Sequence, residues 1–232
     1  MIPLRDTVPS YSYPVVTVTI IVLNAFVWIF ELLLGPDLAV FIAHFGIVPA
    51  KYFWLADNQP FAVVDRFLPF LTSMFLHGGW MHVIFNMWYL WIFGDNIEDR
   101  LGHARFVLFY LAAGIGAGIF HLLINSDSAV PTIGASGAIA GVMGAYFVLF
   151  PHSRVLTFIP IFFFFQIVEI PAVFFLGFWI FIQFFQGGVS LLSANSGGVA
   201  WWAHFGGFAI GALIALFFRK RKTSGYYEVL ND

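Results

Sequence analysis

The apolar positions of this chain fall into six runs that contain few charged residues. A helix needs about 20 mostly apolar residues to cross a hydrocarbon core of roughly 30 Å, so the runs predict membrane-spanning helices. Their approximate bounds are 15–34, 81–93, 106–124, 137–150, 171–185 and 201–218. The second run continues as helix toward Arg100, and the pattern assigns no form to the apolar approach at 159–170.

The segments between and beside the runs complete one domain. Residues 35–79 are too polar to span but rich in Phe, Leu and Trp, which predicts an interfacial loop with short amphipathic pieces. Residues 1–14 form a polar N-terminus without a signal-peptide layout, and residues 219–232 form a basic tail. We therefore expect an all-α polytopic membrane protein, with six transmembrane helices over residues 15–218 and a short central fourth helix.

Composition supports a bilayer as the solvent. The chain is 61% hydrophobic and only 9% charged, against about 25% charged in a soluble domain. The chain contains no cysteine, which excludes disulfides, thiolate metal sites and a cysteine nucleophile.

The basic residues predict the orientation. With six spans both termini share one side, and that side collects eight of the ten Lys and Arg residues: Arg5, Arg100, Arg105, Arg154, Arg219, Lys220, Arg221 and Lys222. The opposite side keeps only Lys51 and Arg66. By the positive-inside rule both termini are expected to be cytoplasmic.

Polar residues within or at the ends of membrane spans are costly and mark function by default, and four of them stand out: His82, Asn86, Ser136 and His204. Counting helix rise from the cytoplasmic ends of their spans places His82, Ser136 and His204 about 22–24 Å above that boundary. The three spans therefore present their polar residues in one layer near the non-cytoplasmic side. His82 and Asn86 share a helix face because they are four residues apart.

Small residues predict how the fourth and sixth spans meet. Ala140, Gly141 and Gly144 follow Ser136 on one face, and Gly207, Gly211 and Ala215 follow His204. Such faces allow close helix approach, which would bring the Ser136 hydroxyl near the His204 imidazole. A serine beside a base is the minimum for nucleophilic catalysis, and the helix N-terminus at Ser136 favours a developing oxyanion.

These motifs resemble the rhomboid family of intramembrane proteases, and the resemblance runs from about residue 71 to 218. It rests on His77 with His82 and Asn86, on Glu98 and Arg100 in the turn after the second span, on Gly134-Ala135-Ser136-Gly137, and on Ala203-His204 with Gly207 and Gly211. Ala140 departs from the pattern, because many relatives place there an aromatic residue that stacks on the histidine.

The resemblance implies a serine endopeptidase that uses a Ser136–His204 dyad. His82, Asn86 and the Ser136 backbone N–H would form the oxyanion hole, and His77 would fix the loop before the second span. It implies a bacterial-type inner membrane, with the site open to the non-cytoplasmic side. The expected partners are transmembrane protein substrates and membrane lipids. No cofactor, metal or nucleic acid is expected.

Two other functions fit the sequence less well. An inactive relative that binds or escorts membrane proteins predicts loss of Ser136 or His204, and both are present. A transporter or channel predicts mid-bilayer ionisable groups and repeated halves. The chain instead has one outer polar layer and no internal repeat.

Overall fold

The computed structural model describes residues 1–161, 164–192 and 199–219. Over these residues the chain forms nine α-helices and three β-strands. The helices are α1 (Val15–Leu33), α2 (Leu38–Phe45), α3 (Pro49–Asn58), α4 (Val63–Thr72), α5 (Trp80–Leu101), α6 (His103–Ile124), α7 (Ser136–Leu149), α8 (Ala172–Leu192) and α9 (Trp201–Phe218), and the strands are β1 (Ile2–Asp6), β2 (Arg154–Ile161) and β3 (Phe164–Pro171). The predicted basic tail lies outside the described residues beyond Arg219.

Every predicted span has a helical counterpart. Helices α1, α6, α8 and α9 are long and apolar enough to cross a membrane. Helix α7 is also apolar but has only 14 residues, as expected for a short fourth helix, and α5 carries charged residues in its last two turns. Helix α8 runs seven residues past the predicted end at 185.

A three-stranded sheet is the part of the fold that the all-α prediction missed. Strands β2 and β3 pair antiparallel, with Arg154 opposite Pro171, and β1 pairs antiparallel to β2, with Ile2 opposite Phe158. The unassigned approach at 159–170 is therefore largely strand, and the polar N-terminus contributes β1. A short unbroken apolar run does not distinguish strand from helix by periodicity.

Helix α7 lies at the centre of the bundle. All its residues from Gly137 to Tyr146 are buried, and it contacts α5, α6, α8 and α9. Its sequence is apolar on every face and rich in Gly and Ala, which suits a helix that is surrounded by other helices.

The segment between α1 and α5 contains three short α-helices and supports the loop that precedes α7. Ile47 exchanges two backbone hydrogen bonds with Thr132, at 3.1 and 2.7 Å. Phe70 on α4 packs with Ile47 and with Leu122 of α6. The loop before Ser136 is therefore held by the segment between α1 and α5 as well as by α7.

Candidate active site

Ser136 and His204 form a hydrogen-bonded pair. The Ser136 Oγ lies 2.8 Å from His204 Nε2 although the residues are 68 positions apart. Both side chains are half-buried. Ser136 begins α7 and His204 lies in the first turn of α9, so the N-terminal ends of two neighbouring helices bring them together.

Glycines allow α7 and α9 to pack with their backbones in contact. We call this contact the α7–α9 seam; on α7 it consists of Gly137, Gly141 and Gly144, and on α9 of Gly207, Phe208 and Gly211. A Cβ on Gly207 would collide with the Gly137 carbonyl oxygen, and one on Gly211 would collide with that of Gly141. A Cβ on Gly144 would collide with the Phe208 carbonyl. The two backbones are in direct contact, and this contact sets the separation of Ser136 from His204.

The loop that leads into Ser136 has a fixed conformation. The Gly134 N–H donates to the Ser73 carbonyl at 2.8 Å. Gly134 has φ +121°, a left-handed value that favours glycine, and a Cβ there would lie 2.6 Å from His82 Nε2. As the first residue of α7, Ser136 has a backbone N–H without an intrahelical acceptor, and the helix dipole favours negative charge there.

His82 and Asn86 face this loop from α5. A Cβ atom added to Gly134 would lie 3.6 Å from Asn86 Nδ2, as well as close to His82. The Gly78 N–H donates to His82 Nδ1 at 3.3 Å, so the proton of a neutral His82 ring is on Nε2. Both side chains therefore hold N–H donors next to the backbone that precedes Ser136.

His77 is buried behind these donors. The Asn86 Nδ2 group donates to the ring Nε2 of His77 at 2.9 Å. The backbone N–H of His77 donates to the Glu31 carboxylate of α1. Burial, with His82 beside it, lowers the pKa of His77 to about 3, so the ring is neutral and can accept from Asn86. Glu31, to which the sequence assigned no role, thus anchors the residue that orients Asn86.

Two of the predicted motif residues lie at the other end of α5, away from this cluster. The Glu98 carboxylate accepts the N–H groups of Val16 and Thr17 at 2.8 and 2.7 Å, and it also contacts His103. Arg100 donates to the Phe218 carbonyl at 3.5 Å. Glu98 and Arg100 therefore join the ends of α1, α5, α6 and α9.

Sequence reasoning missed Gln183 and did not identify which aromatic residue contacts His204. The Gln183 Oε1 lies 2.7 Å from His204 Nδ1. The Trp179 ring is 5.9 Å from the imidazole at an interplanar angle of 34°. Both residues lie on α8, where an amide within an apolar span was a signal of function that the sequence offered. Trp179 supplies the aromatic contact that Ala140 cannot.

A cavity of about 210 Å³ adjoins the site, with His82, His121 and Trp201 among its lining residues. The His121 Nε2 lies 2.9 Å from the Thr132 hydroxyl in its wall. Among the described residues, no group of three or more His, Cys, Asp or Glu side chains could hold a metal ion.

A serine and a histidine that are hydrogen-bonded between the helices of a multi-pass membrane protein define the class of site. A family model described as the rhomboid domain matches residues 64–221. The match covers more than half of the 232 residues, so the chain belongs to the rhomboid family. The resemblance that the sequence motifs indicated is confirmed.

Curated relatives come from several compartments. The chain is similar to Rhomboid protein 1, mitochondrial, of Saccharomyces cerevisiae (36% identity over 38% of this chain and 27% of the relative). It is similar to Rhomboid-like protein 11, chloroplastic, of Arabidopsis thaliana (35% identity over 51% and 40%). It is also similar to Rhomboid protease GluP of Bacillus subtilis (45% identity over 32% and 14%). The chain thus covers less than half the length of each of these three relatives.

Proposed function

We propose that this protein is an intramembrane serine endopeptidase that cleaves peptide bonds in or next to transmembrane helices of membrane proteins. The observation that carries the proposal is the 2.8 Å hydrogen bond between Ser136 Oγ and His204 Nε2. Membership of the rhomboid family, which includes a relative named as a protease, supports the same reaction.

The proposed reaction proceeds through an acyl-enzyme. The Ser136 Oγ attacks the scissile carbonyl carbon while His204 Nε2 takes its proton. The tetrahedral adduct collapses, the C–N bond breaks, and His204 gives the proton to the leaving amine. Water, deprotonated by His204, then attacks the ester and releases the second product with Ser136 restored.

The oxyanion of each tetrahedral adduct needs preorganised donors. The proposed donors are the Ser136 backbone N–H, the His82 Nε2–H and the Asn86 amide. The positions of His82 and Asn86 beside Gly134 support this assignment. Donors in a site with little water stabilise developing charge far more than they would in bulk water.

The proposed membrane placement has six spans, with α5 and α7 added to the four longer apolar helices. Both termini would be cytoplasmic because most basic residues lie on that side. The 14 residues of α7 rise about 21 Å, so one of its ends would lie below the membrane surface. The adjoining cavity would admit water from the non-cytoplasmic side to a site at lipid depth.

Substrate helices must partly unwind to expose a peptide bond, since a helical backbone is hydrogen-bonded within itself. Helix α8 is the proposed lateral gate through which they enter. Its outward residues Phe174, Phe178, Phe181 and Phe185 are 49–69% exposed in the isolated chain and would face lipid.

A reporter transmembrane helix, incubated with detergent-purified protein, tests the proposal. Wild type should cut the reporter, and Ser136→Ala should not cut it while keeping the same thermal unfolding midpoint. If wild type binds the reporter with the affinity of Ser136→Ala and neither protein cuts it, an escort function replaces the protease function.

A further inference from the structure

The His204 ring is held at both nitrogens. Its Nε2 contacts the Ser136 hydroxyl of α7, and its Nδ1 contacts the Gln183 side-chain oxygen of α8. Gln183 is buried, with 6% of its surface exposed. A buried amide in an apolar span is costly unless it is hydrogen-bonded, and this amide is directed at the histidine.

The contact with Gln183 determines which histidine tautomer is present. A neutral imidazole carries one N–H, and an amide oxygen only accepts hydrogen bonds. With the oxygen of Gln183 opposite Nδ1, the proton is on Nδ1 and the lone pair is on Nε2. Only this tautomer can accept the Ser136 proton, because a histidine protonated on Nε2 would donate to the serine instead.

We propose that Gln183 is a positioning residue that holds His204 in the tautomer and orientation of a general base, so that the dyad becomes a Ser–His–Gln arrangement. This inference rests on the proposed protease function. Gln183 is hydrogen-bonded to His204 and would act through that residue.

An amide fits this position better than a carboxylate would. The Asp of a soluble serine protease triad is ionised, and an ionised carboxylate is expensive at lipid depth. Papain-like proteases use an Asn in the corresponding place. A Gln gives the same hydrogen bond with no buried charge, and Trp179, four residues earlier on α8, restrains the ring from a second direction.

Kinetics of three variants separate positioning from simple helix packing. Gln183→Met keeps the side-chain length but removes the acceptor, Gln183→Glu restores an acceptor, and Gln186→Met is the matched control at an exposed position of the same helix. Gln183→Met should lower kcat by about tenfold with KM unchanged, the loss expected for one neutral hydrogen bond. Gln186→Met should behave as wild type.

Rescue by the carboxylate variant gives a second readout. Gln183→Glu should recover most of the kcat, and the acid limb of its kcat/KM profile should move to higher pH because a carboxylate stabilises the imidazolium. Wild-type kcat in Gln183→Met, or equal losses in Gln183→Met and Gln183→Glu with an unmoved pH profile, would overturn the inference.

The tautomer itself can be measured without any substrate. In protein labelled with ¹⁵N-histidine, the His204 signals, assigned by their loss in His204→Ala, should show a protonated Nδ1 and a bare Nε2. In Gln183→Met the proton should divide between the two nitrogens. An unchanged tautomer in that variant contradicts the inference, even where wild type cuts the reporter. If wild type does not cut the reporter but the His204 tautomer depends on Gln183, the proposed protease function is wrong and the positioning role of Gln183 stands.

Discussion

His204 contacts α7 through one ring nitrogen and α8 through the other, and these two helices differ sharply in burial. Helix α7 is buried along ten consecutive residues and meets α9 backbone to backbone at the α7–α9 seam. Helix α8 has far less contact with its neighbours, and much of its phenylalanine surface faces outward. The proposed nucleophile therefore lies on the highly constrained α7, while His204 also depends on the more loosely attached α8.

The difference is informative because each helix meets a different requirement. The geometry between nucleophile and base must hold within fractions of an ångström for attack, and the seam provides that rigidity. Entry of a substrate helix requires one side of the bundle to open, and α8 has far fewer contacts to lose than α7. We expect substitutions on the α5–α7–α9 side to damage chemistry or folding. Apart from Gln183, substitutions on α8 should alter access.

The largest effect should come from the proposed oxyanion donors on α5. Asn86→Ala should lower kcat by about 10² to 10³, the usual cost of one lost donor, with a small change in KM. Asn96→Ala is the matched control, because Asn96 is also buried on α5 but donates to the Val8 carbonyl at the opposite end of the helix. Steady-state cleavage of the reporter helix measures both, and equal kcat values for the two variants would remove Asn86 from the oxyanion hole.

A smaller effect, on stability, should distinguish the α7–α9 seam from α8 when the same substitution, Gly to Ala, is made in each. Gly211→Ala places a methyl group against the Gly141 carbonyl. Overpacking should cost about 3 kcal/mol of stability and the better helix propensity of Ala should return about 1 kcal/mol, so the free energy of unfolding should fall by about 2 kcal/mol. Gly188→Ala on α8 meets no atom within 4 Å and should stabilise by about 0.5 to 1 kcal/mol. Unfolding in detergent provides the comparison, and equal shifts would mean that the seam is not tight.

The smallest effect should come from loosening α8. Phe184 contacts Phe205 and Trp202 of α9 at ring-centroid distances of 5.4 and 6.0 Å. Removing aromatic contacts worth about 0.5–1.5 kcal/mol in Phe184→Ala should raise the rate of reporter cleavage a few-fold if opening of α8 limits entry. Phe181→Ala, at an outward position of the same helix, should leave the rate unchanged. A fall in rate for Phe184→Ala would mean that α8 is not the gate.

Much of this architecture follows from the sequence, because membrane helices can be recognised by their length and hydropathy. Helix α9 begins and ends where its apolar run does, and the small residues beside Ser136 and His204 predict the faces that meet. The sheet was missed because β1 pairs with β2 across some 150 residues, and the apolar run at 159–170 has no distinguishing period.

The supporting residues of the site were harder to predict for another reason. Glu31 lies near the end of its span and Gln183 within a phenylalanine-rich run, so neither has local partners that reveal a role. Their partners, His77 and His204, are 46 and 21 residues away along the chain, and only the packing of the helices brings them together.

The central claim is that Ser136 is a nucleophile activated by His204, and labelling with a fluorophosphonate tests it most directly. The reagent reacts with activated serines and needs no known substrate. Wild type should be labelled once, on the peptide that contains Ser136, and both Ser136→Ala and His204→Ala should remain unlabelled while folded. Labelling of another serine, or undiminished labelling of His204→Ala, would contradict the account.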